Sequence, residues 1–371
     1  MKNKPIRILH VLTAMNRAGA ETMLMNLYRA IDREIIQFDF AVTTTENADY
    51  DDEIMSLGGR IIHYPRYVGK NHFEYKRWWK SFFKDHPEYR IVHVHIGSTA
   101  AIYLKIAKKS GCYTIAHSHS VGNHKTLHSF LYGIYSYRTR YIADYFIGCS
   151  KEALVSRYGK KVLNDKNRSY ILKNGVDVKK YKFNEKVCEE VKKELQISDE
   201  YLVVGTVGRF TEAKNVFFII DVLSALKDKN CSFKFLWAGT GELEADAKKY
   251  IKEKDLQEEV LLLGVRDDIH RILQVLNVFI LPSKFEGLPV IGVEAQAAGV
   301  PMLCSDRVSP DIKISDSIEF LNIDSVDIWV ESILKETKFR RNINATENLI
   351  SHGYDINSSA SWLMNFYQEV V

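Results

Sequence analysis

Paired cysteines are missing from this sequence. The five present, Cys112, Cys149, Cys188, Cys231 and Cys304, are odd in number and form no Cys-x-x-Cys. That excludes a disulfide framework and a zinc-finger type of site, and it fits a reducing, cytoplasmic compartment. Long apolar runs are missing too. "VFFII" (216–220) and "VFIL" (278–281) fall far short of the roughly 20 residues of a membrane span, so no transmembrane helix is expected. The opening "MKNKPIRILHVLTAMNRAG" imitates a signal peptide, but its apolar part is short, contains His10 and reads as a strand. No RNA- or DNA-binding signature is present, so nucleic acid is not an expected partner. Nor does the first apolar run lead into G-x-G-x-x-G; "TAMNRAGAE" follows it, which argues against a nicotinamide dehydrogenase.

What is present is an ordinary globular composition over 371 residues, 46% hydrophobic and 26% charged, enough for two packed domains. The net charge of +4 hides a division. Residues 1–180 hold 29 Lys+Arg against 16 Asp+Glu, residues 181–371 hold 22 against 31, and ten of the twelve histidines lie in the first part. A basic half can face an anionic membrane surface or a phosphorylated substrate.

β-branched and aromatic runs that end in turn residues recur at 6–14, 38–44, 59–65, 91–98, 112–120 and 145–150, with helical periodicity between most of them, as in "AETMLMNLYRAI" (20–31). After the turn-rich "KNGVDVKKYKFNEK" (173–186) the pattern restarts, with strands expected at 201–210, 232–241, 259–265, 278–283 and 300–306. Alternating β and α units predict an α/β protein of two Rossmann-like, doubly wound parallel-sheet domains. The boundary is expected near Asn174 to Tyr181.

In doubly wound sheets ligands sit at the carboxyl ends of strands. "GTVGRFTEAKN" ends one strand with Gly208 and Arg209, with Lys214 five positions on; "WAGTGELE" ends the next with Gly239 and Gly241, and "GVRDD" the one after. Glycine permits close backbone approach, and two cations in one loop can neutralise a diphosphate. Taken singly, each loop reads equally well as a strand-to-helix turn with solvated cations. In "KFEGLPVIGVEAQAAG" (284–299), Pro289 stands where a helix can begin, and the free amides before it form an anion site reinforced by the helix dipole. Glu286 precedes that site and Glu294 lies two turns into the helix. Carboxylates suit hydroxyls, not phosphates, so the pair describes a nucleotide-diphosphate-sugar site. The plainer alternative is a loop carboxylate and a solvated helix residue.

The run from Gly208 to Gly299 resembles the donor-binding domain of family 4 retaining glycosyltransferases, which have the GT-B fold. The likeness rests on Arg209-x4-Lys214, "AGTGELE", "LGVRDDI" and the Glu286-x7-Glu294 motif followed by "AQAAGVPML"; "NGVD" (174–177) and "GCSKEA" (148–153) extend it over nearly the whole chain. "RAGAET" and "AHSHS" are similar to enzymes of bacterial exopolysaccharide and capsule assembly. The resemblance implies an N-terminal acceptor domain, 1–177, with a C-terminal helix, 357–371, packed back on it, and a donor domain, 178–356, facing it across a cleft. It implies that Arg209 and Lys214 stabilise the leaving diphosphate, that Glu286 contacts the transferred sugar, that the amides of Gly287 and Leu288 touch the sugar or its phosphate, and that Glu294 holds the ribose. Gly19, Gly208, Gly239, Gly241, Val265, Arg266 and Pro289 complete the donor site, with Glu21 and Asn174 at its margin. A histidine beside the donor sugar is also implied, His117 in preference to His119. No metal and no cofactor are implied; the nucleotide sugar, UDP-hexose or UDP-N-acetylhexosamine, is a substrate, and the acceptor is a saccharide or lipid-linked saccharide. The sequence departs from the family pattern at Asn215, where glycine often follows the lysine, and at Ala18-Gly19, where the family has Gly-Gly.

Three further features carry alternatives. His93 with His95, and His117 with His119, are i, i+2 pairs whose rings share a strand face, as metal ligands would, but no cysteine or carboxylate is spaced to complete either set. Asp49-x-Asp51 has a metal-binding spacing yet precedes a helical stretch, where acidic residues are expected for dipole reasons. The stretch 67–86, "YVGKNHFEYKRWWKSFFKDH", interleaves Lys76, Arg77, Lys80 and Lys84 with Trp78, Trp79, Phe82 and Phe83. It reads equally as an interfacial helix, giving peripheral contact at the inner face of the plasma membrane, or as a core helix with a solvated basic face. The reading that follows is a hexosyltransferase acting with retention. A nucleotide-sugar 2-epimerase of similar architecture and a non-catalytic nucleotide-sugar-binding subunit are the alternatives.

Overall fold

The apolar runs become two all-parallel sheets. The computed structural model describes residues 4–97, 99–119, 137–286, 288–336 and 341–371. The first sheet contains β1 (Ile6–Val11), β2 (Ile36–Val42), β3 (Ile61–His63), β4 (Ile91–Val94), β5 (Tyr113–Ser118), β6 (Tyr145–Gly148) and β7 (Ser169–Ile171) in the order β3-β2-β1-β4-β5-β6-β7. The second contains β8 (Leu202–Val207), β9 (Phe233–Ala238), β10 (Val260–Gly264), β11 (Val278–Leu281), β12 (Met302–Ser305) and β13 (Ile318–Leu321) in the order β10-β9-β8-β11-β12-β13. Both are doubly wound, and in each the strand order reverses once: between β1 and β4, and between β8 and β11. Ligands of such sheets bind outside the strand ends at these switch points.

The chain divides into two units, Met1–Gly175 with Ile356–Val371, and Val176–Asp355. Strands buried on both faces need helices on both faces, and each unit supplies them. In the first, one face of the sheet packs against the helices Gly19–Ala30 and Ile356–Glu369 through Met23, Leu27, Leu363 and Tyr367. The other face packs against His72–Asp85 and Ala100–Lys109 through Trp79, Phe83, Tyr103 and Leu104. In the second unit, Val216–Asp228, Glu244–Glu253 and Val326–Glu336 cover one face, and Glu185–Glu194, Ile269–Val275 and Val290–Ala297 the other.

The basic, aromatic stretch is the helix His72–Asp85, and its aromatic stripe is turned inward. Trp79 is fully buried and stacks on Tyr103 at 4.9 Å, Phe82 and Phe83 are buried beside it, and Trp78 stacks on Phe82 at 5.2 Å. Burying each such side chain is worth about 1.5–3 kcal/mol, so these rings belong to the core. Arg77, Lys80 and Lys84 remain exposed, and the large apolar groups left outside nearby are Phe73 and Val68, 79% and 63% exposed. No helix among the described residues is long and apolar enough to cross a membrane.

Candidate active site

At the carboxyl ends of β8, β9 and β10 the loops lock together through their backbones. Gly208 N–H donates to Ala238 O (2.9 Å), Phe210 N–H to Thr240 O (3.1 Å), Leu243 N–H to Phe210 O (3.0 Å) and Gly239 N–H to Gly264 O (2.7 Å). Glycine at 239 is obligatory: its φ is +140°, and a Cβ there would stand 2.0 Å from the Gly208 carbonyl oxygen. Gly241 also lies against the Phe210 backbone, with a Cβ position 2.6 Å from its carbonyl oxygen. The Lys214 side chain lies along Gly208, its Cε 3.1 Å from where a Cβ would be. Arg209 is exposed.

Across the switch point, β11 leads into the loop that carries Glu286. Its carboxylate is gripped from two sides: Lys214 Nζ donates to Oε1 at 2.6 Å and Ser283 Oγ to Oε2 at 3.0 Å. Lys214 and Glu286, 72 residues apart in sequence, are therefore one largely buried ion pair at the reversal of strand order, with side chains 20% and 23% exposed. Cys304, on β12, lies within their field; burial pushes its thiol up to about 12, with the Glu286 carboxylate adding to the effect. Asn215 explains one departure from the family pattern. Its φ and ψ are +59° and +48°, the left-handed region that asparagine tolerates better than other residues with a Cβ, and its Nδ2 donates to Pro282 O at 3.2 Å, tying this loop to the end of β11.

The helix Val290–Ala297 begins one residue after Pro289, which is its extended N-cap, not its first helical residue. Glu294, two turns beyond Glu286, is 9% exposed, and its Oε1 accepts from the Tyr181 hydroxyl at 2.7 Å. Burial raises its pKa above 4.5, against the opposing pull of the Tyr181 hydroxyl and the Lys180 charge. The reading of Glu294 as a solvated helix residue is thereby excluded. Leu288 is half-buried against the core, and Gly287 lies outside the described residues. Val265 is 60% exposed in the loop that follows Gly264. Arg266 is engaged locally, with Nε and a terminal nitrogen each 2.7 Å from the Asp268 carboxylate. Ser283 and Tyr181 are the two partners that sequence reasoning missed. Serine at a strand end carries no distinctive signal, whereas Tyr181 lies in the predicted boundary segment.

In the other unit the predicted histidines form part of a larger cluster. β1 and β4 are in register with His10 opposite His93, and β4 and β5 bring His95 beside His117 at a ring separation of 5.3 Å. The five rings of His10, His93, His95, His117 and His119 follow one another at 4.0 to 5.3 Å. His10 Nδ1 is 3.0 Å from His95 Nε2, His95 Nδ1 is 2.7 Å from His119 Nε2, and His93 Nδ1 is 2.6 Å from the Tyr367 hydroxyl. Neither nitrogen of His117 has a partner among the described residues. Burial holds His10 down at about 3 and His119 at about 4, and keeps His93, His95 and His117 well below the usual imidazole range. The rings are therefore neutral at pH 7. Each i, i+2 pair has another histidine from a neighbouring strand beside it, His10 at His93 and His95, and His95 at His117 and His119.

Gly19 opens the helix Gly19–Ala30; a Cβ there would meet nothing, so no packing demands glycine. Glu21, in the same turn, has its pKa raised by burial. Asn174 is 6% exposed, and its Oδ1 has no partner among the described residues. Asp49 and Asp51 serve the local chain: their carboxylates accept from the amides of Arg17 and Ala48 at 2.8 Å, and Asp51 opens a helix.

Two family models match, glycosyltransferase family 4 over residues 17–180 and glycosyl transferases group 1 over 187–317. The chain is 30% identical over 377 residues to the provisionally named glycosyltransferase EpsF of Bacillus subtilis (strain 168), covering 99% of this chain and 97% of that one. It is 25% identical over 299 residues to an Escherichia coli UDP-Gal:alpha-D-GlcNAc-diphosphoundecaprenol alpha-1,3-galactosyltransferase, covering 76% of each. Among solved structures, HepE of Anabaena in complex with UDP superposes with a TM-score of 0.79 at 15% identity, covering 98% of this chain and all of that one.

Proposed function

The chain belongs to the family 4 glycosyltransferases of GT-B architecture, and from that premise we propose that it transfers a hexosyl unit from a UDP-sugar to a hydroxyl of a lipid-linked saccharide, with retention at the anomeric carbon, during assembly of a bacterial surface polysaccharide. The observation that carries the reading is the convergence at one switch point of the Lys214–Glu286 pair, the interlocked glycine loops and the buried Glu294. A relative that uses UDP-Gal and a diphosphoundecaprenol acceptor supports the donor and acceptor classes, and a fold neighbour that binds UDP supports the donor.

In this mechanism Arg209 and Lys214 take up the charge that grows on the diphosphate as its bond to the anomeric carbon breaks, the kind of preorganised stabilisation that contributes most in active sites. Glu286, already oriented by Lys214 and Ser283, accepts from hydroxyls of the transferred sugar. The acceptor oxygen attacks from the face the diphosphate leaves, and its proton passes to the departing phosphate oxygen. Glu294 holds the ribose diol. Fixed cations and the amides ahead of the Val290–Ala297 helix replace a divalent ion at the phosphates. The exposed Arg77, Lys80 and Lys84 of the His72–Asp85 helix, with Phe73, give peripheral contact with anionic lipid at the cytoplasmic face.

The test is thermal stabilisation by UDP-, GDP- and ADP-sugars in excess EDTA, for the wild type and Glu294→Ala. A ligand at about 100 times its dissociation constant stabilises by roughly 2.7 kcal/mol. A shift for UDP-sugars that survives EDTA and shrinks in the variant is expected. No shift with any donor would sink the reading, and release of free epimer without transfer would replace it with an epimerase.

A further inference from the structure

We propose that His10, His93 and His95 form a zinc site at the switch point of the first sheet. One ring nitrogen from each lies within 4.8 Å of the others. His10 and His93 are 0% and 1% exposed, and His10 Nε2 and His93 Nε2 have no hydrogen-bond partner among the described residues. Buried polar atoms are nearly always satisfied, so two orphaned imidazole nitrogens on neighbouring strands mark a place where something is bound.

The chemistry of the donor set selects the ion. Among the described residues, the charged groups that act on these rings are other histidines and Arg157, with no carboxylate. Magnesium and calcium need oxygen ligands; neutral imidazoles suit zinc and its late first-row neighbours. A tetrahedral ion about 2.0–2.1 Å from each nitrogen sets them about 3.4 Å apart, within reach of nitrogens that already lie no more than 4.8 Å from one another; on binding, His95 Nε2 exchanges its 3.0 Å contact with His10 Nδ1 for the ion.

The outer partners are in place as well. Tyr367 Oη lies 2.6 Å from His93 Nδ1, and His119 Nε2 lies 2.7 Å from His95 Nδ1. With both Nδ1–H groups donating outward, lone pairs remain on His93 Nε2 and His95 Nε2, the tautomer that a metal requires and that such partners fix. A second triad, His95, His117 and His119, competes for His95, but among the described residues no phenolic hydroxyl is bonded to its rings. The zinc site belongs to the unit Met1–Gly175, Ile356–Val371, whereas Lys214 and Glu286 belong to the other. The ion therefore pins β1 to β4, and zinc binding is measured separately from donor binding, so that failure of one leaves the other standing.

The test is titration of the full chain, carrying no histidine tag and stripped with chelator, with Zn²⁺ against a chromophoric competitor, and in parallel with Co²⁺ followed by its visible absorption. One equivalent per chain is expected, with the absorption of four-coordinate cobalt in the wild type and a raised melting temperature. Tyr367→Phe, which removes only a hydroxyl, should weaken zinc about 10–100-fold; His10→Gln and His93→Gln should weaken it more. Melting of each metal-free variant shows whether it has folded, and the cobalt spectrum of the wild type needs no variant. Absence of a stoichiometric site, undiminished zinc binding in folded His10→Gln, or loss in His117→Gln alone would each overturn the assignment.

Discussion

Glu294 is a buried carboxylate whose charge costs the ligand-free protein stability. Its folded pKa is raised above 4.5 by burial. The native state therefore holds the proton more tightly than the unfolded chain, and stability declines as pH rises from about 4.5 through the folded value. Glu294→Gln keeps an oxygen for the Tyr181 hydroxyl and removes the charge, so the ligand-free variant should melt at a higher temperature at pH 7. The same variant should bind donor about 10–150-fold more weakly, the 1.5–3 kcal/mol range of charged hydrogen bonds. In the wild type, donor affinity measured by calorimetry should begin to fall on acidification while the pH is still above 4.5. Lys214 is tested differently: Lys214→Ala should lower kcat/KM about 100–1,000-fold in a radiolabelled transfer assay, and an unchanged rate would remove it from the phosphate site. At this scale the motifs that hold Glu286, Glu294 and Lys214 stand out in the sequence through their resemblance to the family pattern. Ser283 and Tyr181 do not, because a hydroxyl contact leaves no periodic trace.

Strands and loops carry the second layer of information. Backbone pairing around Gly239 allows no side chain, so Gly239→Ala should displace the Gly208 loop, lower the melting temperature and abolish donor-induced stabilisation together; retention of the donor shift would mean that the three loops are not one device. The interior strands were readable from their β-branched runs. The edge strands β7 and β13 were not, since "SYI" and "IEFL" are short and the latter carries a charge, as solvent-facing edges do. The His72–Asp85 helix was legible in its period, but its facing was undecided: an amphipathic pattern names an apolar side without naming what covers it. The histidine cluster was invisible for a related reason, because strand order, which sequence does not print, brings β1, β4 and β5 side by side.

Over the whole molecule, charge follows the two units. Met1–Gly175 with Ile356–Val371 holds 27 Lys+Arg against 16 Asp+Glu, and Val176–Asp355 holds 24 against 31. An acidic unit can attract an anionic ligand only through local cations, and under the proposed function Arg209 and Lys214 are those cations. A basic unit attracts anionic surfaces at long range, an effect that salt screens within about 8 Å at physiological ionic strength. Binding to vesicles containing anionic lipid, followed by co-sedimentation, should fall steeply with added salt and be lost in Lys76→Glu with Lys80→Glu, while donor-induced stabilisation is kept; vesicle binding unchanged by both would rule out docking through this helix. The return of Ile356–Glu369 to the first sheet has a consequence for biosynthesis. Leu363, Phe366 and Tyr367 fill the core beside strands made from the first 150 residues, yet they leave the ribosome after all of Val176–Asp355. The first sheet thus waits, half-covered, for the rest of the chain to be translated, and a product truncated before Ile356 exposes that apolar face and is marked for degradation by its own unfinished core.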